Sequence, residues 1–216
     1  SDWIDTHDAT DNISHKIQQV QALETLGAEV LVLQADVVNR EQMRAALEQA
    51  TTRFGPIHGV LHMAGIAGEG IAHLKTIEAA ASVLAPKVNG TLILDALLDK
   101  NHLDFCVLFS SLTAILGGVG QIDYCGANVF LDSFAQAQAH RDGPFTIAIN
   151  WDAWQTVGMA VNAALPAHFQ HHHNALLAED ITPAEGRAVF DQILHSRLPQ
   201  VIVSTKELQA QRQQYE

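Results

Sequence analysis

Residues 109–128 read FSSLTAILGGVGQIDYCGAN, and this stretch holds the side chains best suited to chemistry. Ser110 and Ser111 end an apolar run. A glycine-rich loop follows, and Tyr124 and Asn128 come four residues apart as an apolar helical pattern begins. Three readings compete. A dinucleotide phosphate loop fits the strand–loop–helix context, but with Gly118 and Gly120 as the first two glycines of G-x-G-x-x-G the third position is Asp123. A carboxylate there would repel a pyrophosphate at the helix N-terminus. An ordinary loop needs only glycine flexibility, with Tyr124 as a packing residue and Asn128 as a polar group on the helix face. Acid catalysis asks for more. A hydroxyl at a strand end orients a carbonyl, and a phenol in the first turn of the next helix gives its proton to the same oxygen. A phenol titrates near ~10, so this chemistry needs a nearby cation. The stretch itself contains none.

The elements that would position these groups follow from periodicity. Ile13 to Leu26 carries apolar residues at helical spacing, and Gly27 is its stop. AEVLVLQ (28–34) reads as a strand with Asp36 and Val37 just beyond it. Asn39 caps a helix through about Arg53, and GPIHGVLHMAG (55–65) reads as turn, strand and glycine. Thr76 to Leu98 is a long helical pattern that Pro86 should kink. DFCVLFSS (104–111) and PFTIAINW (144–151) are further strands, with a helix from about Ile122 to His140 between them. Residues 155–178 show no regular pattern. Thr182 to Leu194 reads as a capped helix, PQVIVST (199–205) as a fifth strand, and a polar tail follows. Continuously apolar strands alternating with helices predict an α/β fold, a doubly wound parallel sheet covered on both faces. Ligands in such a sheet bind at the carboxyl ends of the strands. Asp36, Gly65, Ser110, Ser111 and Trp151 to Trp154 stand there.

Composition narrows the function classes. The 216 residues suffice for one α/β domain, and 48% hydrophobic content marks a folded chain. A formal charge of −12 with few, scattered Lys and Arg argues against a nucleic-acid or anionic-membrane surface. No apolar run approaches the roughly 18–20 residues of a bilayer span. Cys106 and Cys125 lie in apolar contexts without metal spacing, so a reduced, cytoplasmic setting is the simplest reading. His171–His173 has no carboxylate or cysteine spaced to complete a metal site and reads as loop surface.

Taken together, these stretches resemble the ketoreductase domain of modular polyketide synthases, a Rossmann-like branch of the short-chain dehydrogenase/reductase superfamily. LETLGAEVLVLQADVVN, GPIHGVLHMAGIAG, VLAPKVNGTLILDAL, FCVLFSS, GQIDYCGAN and INWDAW occur in the family's order and spacing. Most of the superfamily carries Tyr-x-x-x-Lys. Polyketide ketoreductases have Tyr-x-x-x-Asn, with the lysine on the preceding long helix. Here Asn128 follows Tyr124 by four, and Lys87 follows Pro86. The resemblance therefore implies a missing cation at Lys87. It implies that Ser111, thirteen residues before Tyr124, orients the substrate carbonyl and that Tyr124 protonates the developing alkoxide. Lys87 would hold the nicotinamide ribose and tune the phenol, and Asn128 would support Lys87 and an ordered water. Asp36 and Val37 would lie beside the adenine, and Ala64 and Gly65 along the cofactor. Trp151, Trp154 and Met159 would lead into a substrate lid at about 155–178.

The implied activity is NADPH-dependent reduction of a β-ketoacyl chain tethered through phosphopantetheine to an acyl carrier protein, beside neighbouring synthase domains. The organisation expected is a polar lead-in (1–11), a catalytic domain (12–205) and a polar tail (206–216). The family begins with a strand, a glycine-rich loop, a helix and a second strand ending in a basic residue, and the sequence shows none of these. An N-terminally truncated domain with weak cofactor binding and an exposed sheet edge is expected. The stereochemical markers assign no alcohol configuration: Ala67, Gly68 and Glu69 replace one class's Leu-Asp-Asp, and Leu116 replaces the other class's tryptophan. Two alternatives remain, a stand-alone short-chain dehydrogenase, disfavoured by the absent Tyr-x-x-x-Lys, and a catalytically silent synthase domain, disfavoured by four filled catalytic positions.

Overall fold

The computed structural model describes Trp3, Thr6 and residues 11–68, 70–161 and 177–213. It contains two compact units, Ser1–Ala35 and Asp36–Glu216. The first holds helix α1 (Asn12–Thr25). The Asp11 carboxylate caps it, accepting from the Ile13 and Ser14 amides at 2.9 and 3.0 Å. Gly27 turns the chain away at φ 90°, a left-handed value that favours glycine. The strand expected at 28–34 does not form, and these residues carry no strand assignment. An apolar run becomes a strand only where a neighbour takes its backbone N–H and C=O groups. The sheet ladders of the described residues do not include it.

In the second unit, α2 (Arg40–Phe54) starts where the Asn39 side chain accepts from the Glu41 and Gln42 amides, each at 3.1 Å. Then come β1 (Gly59–His62), a 3₁₀ turn (Ala72–Leu74) and α3 (Ile77–Leu97), which continues through Pro86 without a break. Next are β2 (Phe105–Ser111), the single turn α4 (Thr113–Leu116), α5 (Ile122–Gln138) and β3 (Phe145–Trp151). The chain closes with α6 (Pro183–Ser196), β4 (Gln200–Val203) and α7 (Leu208–Gln213). The polar tail expected at 206–216 includes the short helix α7. Thr182 and Glu185 form the capping box that starts α6, with Pro183 preset for the first turn. Most of the expected lid, and His171–His173, lie outside the described residues.

The four strands pair in parallel in the order β1-β2-β3-β4, and each crossover carries a helix. Strand alternation sorts side chains onto two faces. On one, Val107, Ile147, Ile149, Trp151 and Val203 form a dry core with Ile193 of α6. On the other, Leu108 and Ala148 pack against Leu131 and Ala135 of α5. The central strand β3 is buried from Thr146 to Trp151, as a doubly covered parallel strand must be.

One sequence expectation needs correcting here. By length and composition α3 is apolar enough to cross a membrane. Its charged residues, Glu78, Lys87 and Asp95, are too widely spaced to break the apolar average. Val83, Lys87, Gly90, Thr91 and Leu94 nevertheless form a buried face at helical spacing, and α3 packs beside α5.

Candidate active site

The sheet delivers its polar groups at the carboxyl ends of β2 and β3, where Ser110 pairs with Asn150 and Ser111 with Trp151 in register. Ser110 and Asn150 continue the alternation of Leu108 and Ala148, so they face α5. Tyr124, Asn128 and Asp132 succeed one another at four-residue spacing on α5, which places them along one side of that helix.

Lys87 enters from α3. It is 2% exposed, and its ammonium donates to the Phe109 carbonyl at 2.6 Å. The nitrogen lies 6.0 Å from the centroid of the Tyr124 ring. Removing an ammonium from water disfavours its charge, and burial lowers Lys87 to about 8 against the opposing pull of the Asp132 carboxylate. Burial also raises the Tyr124 phenol above its usual value, while the Asn128 and Ser111 side chains pull it back. The phenol therefore carries its proton at neutral pH, as a proton donor must.

Two further side chains flank the phenol. The Ser111 hydroxyl lies 3.2 Å from the Thr113 amide, which donates to it, and 3.0 Å from the Thr113 hydroxyl. It also hydrogen-bonds with the Tyr124 phenol. The Asn128 amide nitrogen donates to the Tyr124 carbonyl at 2.8 Å, and its buried Oδ1 has no partner. The glycine loop makes this meeting possible. Gly117 and Gly120 adopt φ of 81° and 75°, which lets the chain turn from Ser111 back to Tyr124.

Gly65 ends the β1 segment beside this cluster. A Cβ there would stand 3.0 Å from Lys87 Cε and 3.8 Å from the Met159 methyl carbon, so its missing side chain serves space rather than a left-handed turn. Open backbone at Gly65, a buried ammonium and the unpartnered Asn128 Oδ1 are compatible with a nicotinamide cofactor. Met159 is exposed and joins the cluster. Ala64, between β1 and Gly65, is half-buried. Trp151 is instead 6% exposed in the core, its ring 6.0 Å from Phe109 and 5.1 Å from Trp154. Asp36 and Val37 lie in the turn before α2. The Asp36 carboxylate accepts from the Val38 amide at 3.1 Å, and Val37 packs where a Cβ on Gly90 would come within 2.9 Å.

The structure adds five residues to which sequence reading gave no role in the site. Asp123, read as a bar to phosphate, forms an ion pair with Lys75 at 2.7 Å, with side chains 2% and 9% exposed. Its carboxylate also accepts from the Tyr124 amide at 2.9 Å. His62 is buried beside Lys87, and burial followed by the Lys87 charge lowers it to about 4. Asp132 and Asn150 are both buried and hydrogen-bonded at 2.8 Å. A signal for Asp132 existed: it is a carboxylate on the buried stripe of Ala127, Leu131 and Ala135.

Comparison with known proteins agrees with this geometry. Residues 8–156 match the KR domain family. The 6-methylsalicylic acid synthase of Aspergillus terreus is 34% identical over 165 residues, which cover 74% of this chain and 9% of that protein. Polyketide synthase PksN of Bacillus subtilis is 32% identical over 203 residues, 90% of this chain and 4% of that one. The chain thus spans a small part of the curated relatives it matches. The crystal structure of a ketoreductase domain from the bacillaene assembly line superposes with a TM-score of 0.78 at 33% identity. That match covers 94% of this chain and 49% of the other.

Proposed function

The chain belongs to the KR domain family, and on that premise we propose that it reduces the β-keto group of an acyl chain to a β-hydroxyl within a polyketide synthase. The observation that carries this reading is the clustering of Lys87, Ser111 and Asn128 around Tyr124. NADPH, held by these residues, would supply the hydride for the carbonyl carbon. The residues of this chain do the rest. Ser111, beside the phenol, donates its hydroxyl hydrogen to the carbonyl oxygen and fixes its direction. Tyr124 gives its phenolic proton to that oxygen, so the product is a neutral alcohol. The Lys87 ammonium beside the ring offsets the negative charge left on the phenolate. Asn128 Oδ1 is a vacant acceptor for the water that returns a proton. Lys87, Tyr124, Ala64 and Gly65, with Asp36 and Val37, would hold the cofactor, and the exposed Met159 would border the acyl chain, with Trp151 packed in the core behind it.

The acyl chain is carried by an acyl carrier protein on phosphopantetheine, and the partners are neighbouring synthase domains rather than nucleic acid or membrane. The free thiols Cys106 and Cys125 suit a cytoplasmic setting. The test is turnover of a β-ketoacyl thioester with NADPH by the intact protein and its Tyr124→Phe variant. Loss of the donor should lower turnover by at least ~100-fold. An unchanged rate refutes the assignment.

A further inference from the structure

Tyr124 stands in the first turn of α5, where a helix frays most easily. The Gln121 side chain, at the N-cap, makes no cap bond. The helical ladder opens with the Cys125 amide donating to the Gln121 carbonyl at 2.7 Å, so the Tyr124 amide needs an acceptor from elsewhere. It donates to the Asp123 carboxylate, one residue back, at 2.9 Å. A carboxylate in a first turn also meets the positive end of the helix dipole. This one is buried, and a buried charge is costly without a partner.

The partner comes from 48 residues away. Lys75 directly follows the 3₁₀ turn Ala72–Leu74, and its ammonium donates to Asp123 Oδ2 at 2.7 Å. Burial pushes the Asp123 carboxyl up, but the Lys75 hydrogen bond, the Tyr124 amide and the Lys75 charge outweigh it, so the group is ionised at neutral pH. The stretch before Lys75 presses on the same turn. Gly68 is buried, and a Cβ there would collide with the Asp123 carboxylate and stand 3.1 Å from Tyr124 Cβ. A Cβ on Gly120 would lie 3.3 Å from the Gly70 carbonyl oxygen. Two close backbone approaches and one ion pair therefore hold the segment after β1 against the turn that carries the phenol. We propose that Lys75 and Asp123 are positioning residues: their ion pair latches segment 66–75 onto the first turn of α5 and holds the Tyr124 phenol in place for proton transfer. The link to turnover rests on the ketoreductase reading, and the latch rests on these distances. With the pair broken, the carboxylate turns to water, the Tyr124 amide loses its acceptor, and the turn opens with the phenol on it.

The decisive experiment compares the intact protein with its Asp123→Asn and Lys75→Met/Asp123→Asn variants. Amide hydrogen exchange, followed by mass spectrometry, should be at least about tenfold faster in peptides holding Tyr124 and residues 66–75, while β3 peptides keep the parent rate. General destabilisation would speed β3 as well. In reduction of a β-ketoacyl thioester with NADPH, kcat should fall by about 10- to 100-fold with KM within about twofold of the parent. The solvent deuterium isotope effect on kcat should rise as proton transfer comes to limit turnover. A smaller folded fraction would lower the rate and leave that isotope effect unchanged. The double variant removes both charges and so recovers stability without the latch. It should stay slow, and it serves if Asp123→Asn does not fold. Parent kcat, or parent exchange at Tyr124, in either folded variant overturns the proposal, and so does a rate loss carried by KM. Full activity of Tyr124→Phe would overturn the ketoreductase reading instead, with exchange at Tyr124 still deciding the latch.

Discussion

Replacing Lys75 by methionine isolates the Asp123 carboxylate directly before Tyr124. The ion pair is 2.7 Å long, with side chains 9% and 2% exposed. At an effective dielectric of about 20, two unit charges at that distance attract by about 6 kcal/mol, and desolvating the ions takes back several kcal/mol. Removing Lys75 leaves the buried carboxylate with backbone amide donors and no counter-charge, and breaking such a pair costs about 3–5 kcal/mol. That is a large share of the ~5–15 kcal/mol that holds a domain folded. The pH dependence has a definite sign. In the parent, burial pushes Asp123 up, but hydrogen bonds from Lys75 and the Tyr124 amide, with the Lys75 charge, outweigh it and leave the carboxyl low. A lowered folded pKa gives stability that is complete above the unfolded value near ~3.9 and is lost as pH falls through the folded value. In Lys75→Met burial dominates, the carboxyl rises, and the destabilisation shrinks as acid protonates it. Urea denaturation followed by tryptophan fluorescence at pH 7 and pH 5 reads both effects. Lys75→Met should lose about 3–5 kcal/mol at pH 7 and less at pH 5, and Lys75→Met/Asp123→Asn should recover most of the loss. A loss below about 1 kcal/mol, equal at both pH values, would show a solvated pair of the ordinary surface kind and refute the reasoning.

Two other outcomes follow from single side chains. His62 is held near 4 in the folded chain by burial and then by Lys87, so the unfolded chain binds a proton first. Stability is complete above the unfolded value near 6.5 and falls by about 3 kcal/mol as pH drops toward 4. His62→Gln should flatten that slope in urea titrations between pH 7 and pH 4.5. Thr182→Ala removes the hydroxyl that accepts from the Glu185 amide at 3.2 Å. It should cost about 1 kcal/mol, seen as a lower Tm of ~2–4 °C by calorimetry.

The parts of the fold legible in sequence were those fixed by local rules. Asn39 and Thr182 act as caps, as their spacing predicted, and the apolar runs at 104–111 and 144–151 are central strands. Residues 28–34 show the limit. Their apolar run is indistinguishable from that of β2, but pairing depends on a neighbour that periodicity does not contain. At the site, the spacing of Ser111, Tyr124 and Asn128 raised the question of acid catalysis, and the family resemblance pointed to Lys87; the structure gathers the four. Asp132, Asn150 and Lys75 escaped because each acts through a partner 18 to 48 residues away. The hydrogen-bond register of β2 on β3, not any local pattern, brings Ser110 to Asn150. Trp151 was legible as an aromatic residue at a strand end, but the strand's alternation turns it into the core.

The two faces of the sheet bear unequal burdens in the history of this domain. One face carries Val107, Ile147, Ile149 and Val203 against α6, all aliphatic and in contact only by shape. The other carries Ser110 and Asn150 toward Asn128 and Asp132, joined in a network of side-chain hydrogen bonds. Aliphatic residues of similar volume can replace one another on the first face at modest cost. A change on the second disturbs several hydrogen bonds at once. Sequence drift between relatives should therefore accumulate on the α6 side and stall on the α5 side, so a strand such as β3 would diverge at alternate residues only.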